Sequence, residues 1–491
     1  MVVFDKHRKR RIIYNDDSDQ QFLKFAGYPY EVTDEQSFLD CRTTPVFDTH
    51  VDTYAWCVGN GCDPSWRDQR LGIRPALGSS ERASDMIVSA CHAHGIEVWG
   101  SLRMNDIHDA SRATLDEASE RFKIEHPECL IAPQSNRDLP LELAERNQWT
   151  VLDFANSEVR RHRLDFITKN AAAHDFDAYE LDFTRHTYFF RLGEEREHTN
   201  EMTELVRDVR SALNAIGERR GRSYGLIVHV MDSIEGSLNL GLDVITWAKE
   251  GLVDVFVVGT GYLPYVMPST EWFALRDGFD IPIYPSVNTN AYADWWQHIF
   301  KRPTAWHEAI RAGAAYYWQE GFDGQYIFNL FCMEELSLGP LERDFVYAPL
   351  SEIGEPSAMV AKNKIYSIQP VAQSGHNARF GSDPTPLPIA LDRKERKLPL
   401  MIGPDAKDPN ARFVLSVHTL GRLDGRRFWL RLNHRLLDAP ARDQNRMRAD
   451  VPKGLLRPGK NELSILCDVA AATTEDPIIV HEVYVEATYS T

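Results

Sequence analysis

From the N-terminus to about residue 330, short runs of β-branched and aromatic residues alternate with stretches whose apolar positions recur at helical spacing. The runs predict strands over 11–15, 46–53, 95–103, 178–184, 224–230, 253–259, 281–287 and 324–329. Helices are predicted over 81–94, 157–174, 197–219, 239–250, 270–278 and 304–321, with Ser80, Asn156-Ser157 and Pro303-Thr304 as N-terminal signals. Eight strands, nearly continuously apolar and alternating with helices, predict a (β/α)₈ barrel whose sheet is covered on its outer face by helices. A doubly wound open sheet competes, but the Gly-rich phosphate turn it would carry is missing after the first strand, where the chain reads IIYNDDSDQ.

The pattern changes near residue 370. Residues 371–410 are rich in Pro, Ser, Gly and Asp, and alternating segments follow over 413–418, 427–432, 461–466 and 478–486, separated by LDGRR, LRPGKNE and TTEDP. That is the reading of an antiparallel β-sandwich. The chain therefore divides into a barrel over 1–370, which would be catalytic, and an accessory sandwich over 371–491.

Composition narrows the partners. The 491 residues are 43% hydrophobic and 26% charged, which suits an ordinary folded protein, and 55 Lys+Arg against 72 Asp+Glu give a net charge of −17. Such a surface argues against nucleic acid and against anionic membranes. The longest apolar runs, VDVFVVG and YGLIVHVM, stop far short of a membrane span. MVVFDKHRKRRIIY lacks a signal-peptide core, so the protein reads as cytoplasmic, or as exported with its leader cut away. Seven scattered cysteines without a CxxC pair fit reduced thiols; Cys57 and Cys62 could bridge only in an exported protein. Homo-oligomerisation stays open.

In a barrel the chemistry sits where strands pass into the following loops. The fourth strand, HDFDAYELDFTRH, places Glu180 and Asp182 on one side by its period of two, with Arg185 and His186 just beyond. Two carboxyl groups on a buried strand are costly unless paired or used. Other strand ends add Asn15, Asp16 and Asp17; Asp48, His50 and Asp52 with Tyr54 and Trp56; Arg103, Asn105, Asp106 and His108; His229 with Asp232; Ser286, Asn288 and Asn290; and Asn329 with Glu334 and Glu335. Trp66, Tyr262, Tyr292, Trp295 and Trp296 supply flat apolar faces. Hydrogen-bonding side chains mixed with aromatic rings are what hydroxyl-rich sugars require. No P-loop, GxSxG, HExxH or redox CxxC is present, and no cofactor or metal is assigned. Asp48, His50 and Asp52 with His229 would nonetheless suit a divalent ion, which keeps a metal-dependent hydrolase or sugar isomerase as an alternative. A carbohydrate-binding protein without activity is a second alternative.

The stretches GIEVWGSLRMNDIHD, DAYELDFTRH, IIYNDDSD and DGQYIFNLF resemble the glycosyl-hydrolase-10-like family of bacterial barrel proteins over roughly residues 10–340, with Asp182 and Arg185 the best-matched positions. The resemblance implies a barrel glycosidase with a β-sandwich behind it, acting on a polysaccharide or oligosaccharide, with Asp182 in the site. IPIYPSVNTN has no acid on the seventh strand, so the two-Glu mechanism of the larger clan of barrel glycosidases does not carry over. The resulting expectation is a glycoside hydrolase. Asp182 acts as nucleophile or base and Glu180 or Asp232 as acid. Asp16, Asp52, Trp56, Arg103, Asn105, Asp106, His108, Arg185, His186, His229, Tyr262, Asn288 and Asn329 hold the carbohydrate.

Overall fold

The computed structural model describes residues 4–18, 21, 29–115, 119–140, 143–259, 269–289, 295–335, 341–368, 387–423, 426–438, 440–468 and 478–490. Eight parallel strands close into a barrel in chain order: β1 (Ile12–Asp16), β2 (Val51–Gly59), β3 (Glu97–Arg103), β4 (Ala178–Asp182), β5 (Gly225–Val230), β6 (Val255–Val258), β7 (Ile283–Asn288) and β8 (Gln325–Phe328). Seven of them lie within two residues of their predicted spans. β2 begins five residues late. Pro45 opens a helical turn over Thr44–Val46, and Asp48 takes left-handed backbone at φ 59°, so the chain cannot extend until Val51.

Both faces of these strands are buried, and they divide into two apolar layers. Ile13, Trp99, Ala178, Ile227, Tyr284 and Tyr326 fill the inside of the barrel. Tyr14, Tyr54, Trp56, Leu102 and Tyr179 face outward into a cluster with Ile87, Ile167 and Leu213 of the surrounding helices α1 (Ser80–Ala93), α2 (Ser157–Ala173) and α3 (Thr199–Arg220). The amino end of the barrel is plugged by a buried ion pair in which Arg10 Nε donates to Glu97 Oε2 at 2.7 Å. The same oxygen accepts from Thr53 and the Trp99 indole, so the buried charges are fully engaged. Among the described residues, the amino end is therefore closed to a ligand.

Beyond the barrel two antiparallel sheets share one apolar core that includes Leu398, Leu415, Val417, Leu463 and Ile465. One sheet runs through the strands Ile389–Ala390, Ile479–Thr488, Arg412–Leu420, Arg446–Val451 and Ala441–Asp443; the other through Arg396–Ile402, Gly459–Cys467, Phe428–Leu432 and Arg435–Leu436. The strand Lys364–Ile368 also pairs with Ile479–Thr488, so the first of these sheets takes a strand from ahead of the predicted division. The last barrel helix, α4 (Thr304–Glu320), joins the two parts: Gln319 donates to the Ile402 carbonyl at 3.3 Å, and Arg302, just before the helix, lies 3.6 Å from Glu486. All seven cysteines are buried thiols, Cys57 and Cys62 included. Among the described residues no helix is long and apolar enough to cross a membrane.

Candidate active site

The side chains that point into the barrel follow from its register. Ala178 and Ile227 lie in the inner cluster, so Glu180, Asp182 and His229, each two or four residues further on, share that face. Arg103 pairs with Asp182 in the ladder from β3, and Asp182 pairs in turn with His229 on β5. Three neighbouring strands thus bring these side chains to one end of the barrel.

The two β4 carboxyl groups sit at different depths. Asp182 ends the strand, and its Oδ1 accepts from Thr184 N at 2.8 Å, Thr184 Oγ1 at 3.0 Å and Arg185 N at 3.1 Å. Three donors on one oxygen suit a carboxylate. Glu180 lies two residues deeper and has no solvent exposure. Burial, reinforced by the Asp182 charge, pushes its carboxyl up to about 8, against hydrogen bonds from Ser101 and Tyr326. The Tyr326 hydroxyl donates to Glu180 Oε2 at 3.2 Å, which leaves the acid proton for Oε1. His229 completes the group. Its Nε2 is 2.7 Å from the Gly259 carbonyl, and since a carbonyl only accepts, the hydrogen is on Nε2 and Nδ1 presents a lone pair. Nδ1 stands 3.9 Å from Glu180 Oε1 and 3.7 Å from Asp182 Oδ1. Burial holds the imidazole below its ordinary value, against the pull of Asp182, so the ring is neutral.

A second network frames these residues. Arg103 lies 2.7 Å from Asp17 Oδ1, and its Nη1 donates to Asp106 Oδ2 at 3.0 Å. Asn329, in left-handed backbone after β8, donates to Asp17 Oδ2 at 2.6 Å. Burial would raise the Asp17 carboxyl, but Arg103 and Arg185 overcome it and hold it at about 2. Asp106 is likewise held well below the carboxylate range, burial being outweighed by His108 and Arg103. His108 Nδ1 lies 2.7 Å from Asp106 and its Nε2 2.7 Å from Arg185 Nη2, so the guanidinium donates to one ring nitrogen while the other donates to the carboxylate. His186 stacks edge-on against His108 at 4.8 Å and is pushed well below its ordinary value by burial and by Arg185, against Asp106.

Nine of the expected residues therefore gather at the carboxyl mouth: Glu180, Asp182, His229, Arg103, Asp106, His108, Arg185, His186 and Asn329. Others do not. Asp52 is at the amino end of β2, pairing with Arg11 at 2.7 Å, so neither it nor Asp48 and His50, which precede the strand, can join His229 around a metal. Asp16 points outward, where Arg42 (2.7 Å), Gln21 and Tyr54 occupy it; the inward residue is its neighbour Asp17. Trp56 also points outward, with its indole on Ser84 of α1 at 3.1 Å. Asn105 follows β3, but its amide donates to the Leu152 and Tyr188 carbonyls and accepts from Leu152 N, so it ties loops together rather than meeting a ligand. Asn105→Ala is expected to cost about 1–3 kcal/mol in chemical denaturation, because those buried backbone groups lose their partner. Asp232, two residues past β5, is buried and its carbonyl accepts the Trp272 indole at 2.8 Å. Asn288 ends β7; its side chain and Tyr262 lie outside the described residues. Two cavities among the described residues lie elsewhere, one of about 300 Å³ where α4 meets the C-terminal sheets and one of about 250 Å³ beside α2.

No family model matches this chain, and no curated protein matches it. Several solved structures are similar to it at a distance. They include an endo-β-1,4-mannanase from Thermotoga petrophila (9% identity, TM-score 0.42, covering 96% of this chain and 97% of that one). An α-amylase from Geobacillus thermoleovorans has 11% identity and a TM-score of 0.41 over 93% of this chain and 98% of that one. A chitinase from Chromobacterium violaceum has 11% identity and a TM-score of 0.36 over 70% and 98%.

Proposed function

We propose that the protein is a glycoside hydrolase that cleaves a polysaccharide or oligosaccharide at the carboxyl mouth of its barrel. The observation that carries this reading is the pair on β4: one carboxyl group held in its acid form, two residues below another that three donors hold as an acceptor. Glycosidic cleavage needs these two states together, a proton for the leaving oxygen and a carboxylate for the anomeric carbon or its attacking water. Asp182 is the nucleophile or base, and Glu180 supplies the proton. With Glu180 neutral, the carboxylates of Asp17, Asp106 and Asp182 face the guanidiniums of Arg103 and Arg185. The excess of one negative charge favours the positive, oxocarbenium-like transition state.

A second reading rests on a separate cluster. Ligand atoms of Asp106, His108 and His186 lie within 4.8 Å of one another, a set that suits a divalent ion in a metal-dependent hydrolase or isomerase. Against it, Arg103 and Arg185 already bond to two of the three, and their positive charge opposes a cation there. Assay of purified protein on a panel of aryl glycosides and oligosaccharides separates the readings. The glycosidase releases sugar after exhaustive treatment with a chelator. Loss of activity with the chelator and its return with a divalent ion would favour the metal centre.

A further inference from the structure

Among the uncharged side chains around the mouth, five polar atoms are buried and, among the described residues, meet no hydrogen-bond partner: Asn15 Oδ1, Glu180 Oε1, His229 Nδ1, Ser286 Oγ and Asn329 Oδ1. They come from strands on opposite sides of the barrel and share its inner face. Asn15 is two residues past Ile13, and Ser286 two past Tyr284, both of which belong to the inner cluster. Asn329 follows β8 directly, and each of the five residues is less than 5% exposed. A single unpaired buried polar atom is costly, and five converging on one end of a barrel mark a surface finished by a ligand.

The chemistry of the five is one-sided. The Asn15 and Asn329 amide oxygens only accept, as does His229 Nδ1, since the ring hydrogen is on Nε2 facing Gly259. Ser286 and the Glu180 acid can do either. Such a floor takes O–H donors. It repels a carboxylate, because acceptor atoms would face it there, while the nearby guanidiniums of Arg103 and Arg185 bond to Asp17, Asp106 and His108.

We propose that Asn15, Glu180, His229, Ser286 and Asn329 form the floor of a sugar subsite that receives the hydroxyl groups of an uncharged monosaccharide ring and rejects sugars bearing a carboxylate. The proposal rests on the glycosidase reading for the role of Asp182 above it, and its consequence for specificity is preference for neutral glycosides over uronides.

Binding, not turnover, tests it. Asp182→Asn protein is titrated by calorimetry and ligand-observed NMR with glucose, galactose and mannose, and with glucuronate, galacturonate and mannuronate. At least one neutral sugar should bind, and its uronate counterpart at least about 10-fold more weakly, as expected of a site that pairs with hydroxyls. Asn15→Ala and Ser286→Ala should each weaken the neutral sugar by about 3- to 10-fold. The neutral-to-uronate comparison needs no further variant and stands even if these two fold poorly. Absence of binding by every neutral sugar, or equal binding by a uronate, overturns the proposal. Discrimination as expected, with no hydrolysis of the matching glycosides by the unsubstituted protein, keeps the floor and removes the glycosidase reading.

Discussion

Asp182→Asn is expected to lower kcat on a cleavable glycoside by at least about 10³-fold while leaving the protein folded, because a nucleophile or base acts chiefly in the transition state. The fold should survive for a specific reason. The three donors converge on Oδ1, and an asparagine keeps an acceptor oxygen there for Thr184 N, Thr184 Oγ1 and Arg185 N. What disappears is the charge and the ability to form or assist the bond at the anomeric carbon. Full activity of the variant on the true substrate would end the mechanism. A loss confined to KM would instead make Asp182 a sugar-binding group, since uniform binding leaves kcat untouched.

The barrel was legible because its strands are short apolar runs separated by helical spacing, and the alternation in YELDF placed Glu180 beside Asp182 without any three-dimensional information. What failed was phase. A parallel strand buried on both faces carries no hydropathy signal that says which residues face in. In IIYND, Ile13 and Asn15 face in while Tyr14 and Asp16 face out, so the mouth acquires Asp17 and loses Asp16 to Arg42. The same ambiguity misplaced Trp56. β2 could have been phased by size, since its inward positions hold Thr53, Ala55 and Cys57, small enough to fit beside Trp99. Asp52 failed differently. The alternating polar residues of DTHVD imitated a strand end, whereas the positive φ of Asp48 makes them the turn that leads into the strand. The roles of Asn105 and of the ties around β3 depend on carbonyls far away in sequence, at Leu152 and Tyr188, which no local pattern announces.

Glu180→Gln is expected to make the protein more stable and the enzyme worse, and the pH at which stability is measured decides whether the reason is right. An ordinary glutamate ionises near 4.5, whereas the buried Glu180 keeps its proton to about pH 8. Below pH 4.5 folded and unfolded chains both hold the proton and the side chain is neutral in the balance. Between those values only the unfolded chain gains by ionising, so stability falls as pH rises, by on the order of 4 kcal/mol at pH 8. Glutamine has no such proton to lose, and its amide can still accept from Tyr326. Chemical denaturation should therefore show the variant level with the unsubstituted protein at pH 4.5 and ahead of it by at least about 2 kcal/mol at pH 8. Activity should move the other way: losing the proton donor should cost about 10²-fold or more on glycosides with poor leaving groups and far less on activated aryl glycosides. In the unsubstituted enzyme the same ionisation should end activity above about pH 8. A stability difference that does not change with pH would show that Glu180 is not held neutral, and the proton for the leaving oxygen would then have to come from another carboxyl group, with Asp232 beyond β5 the first to test.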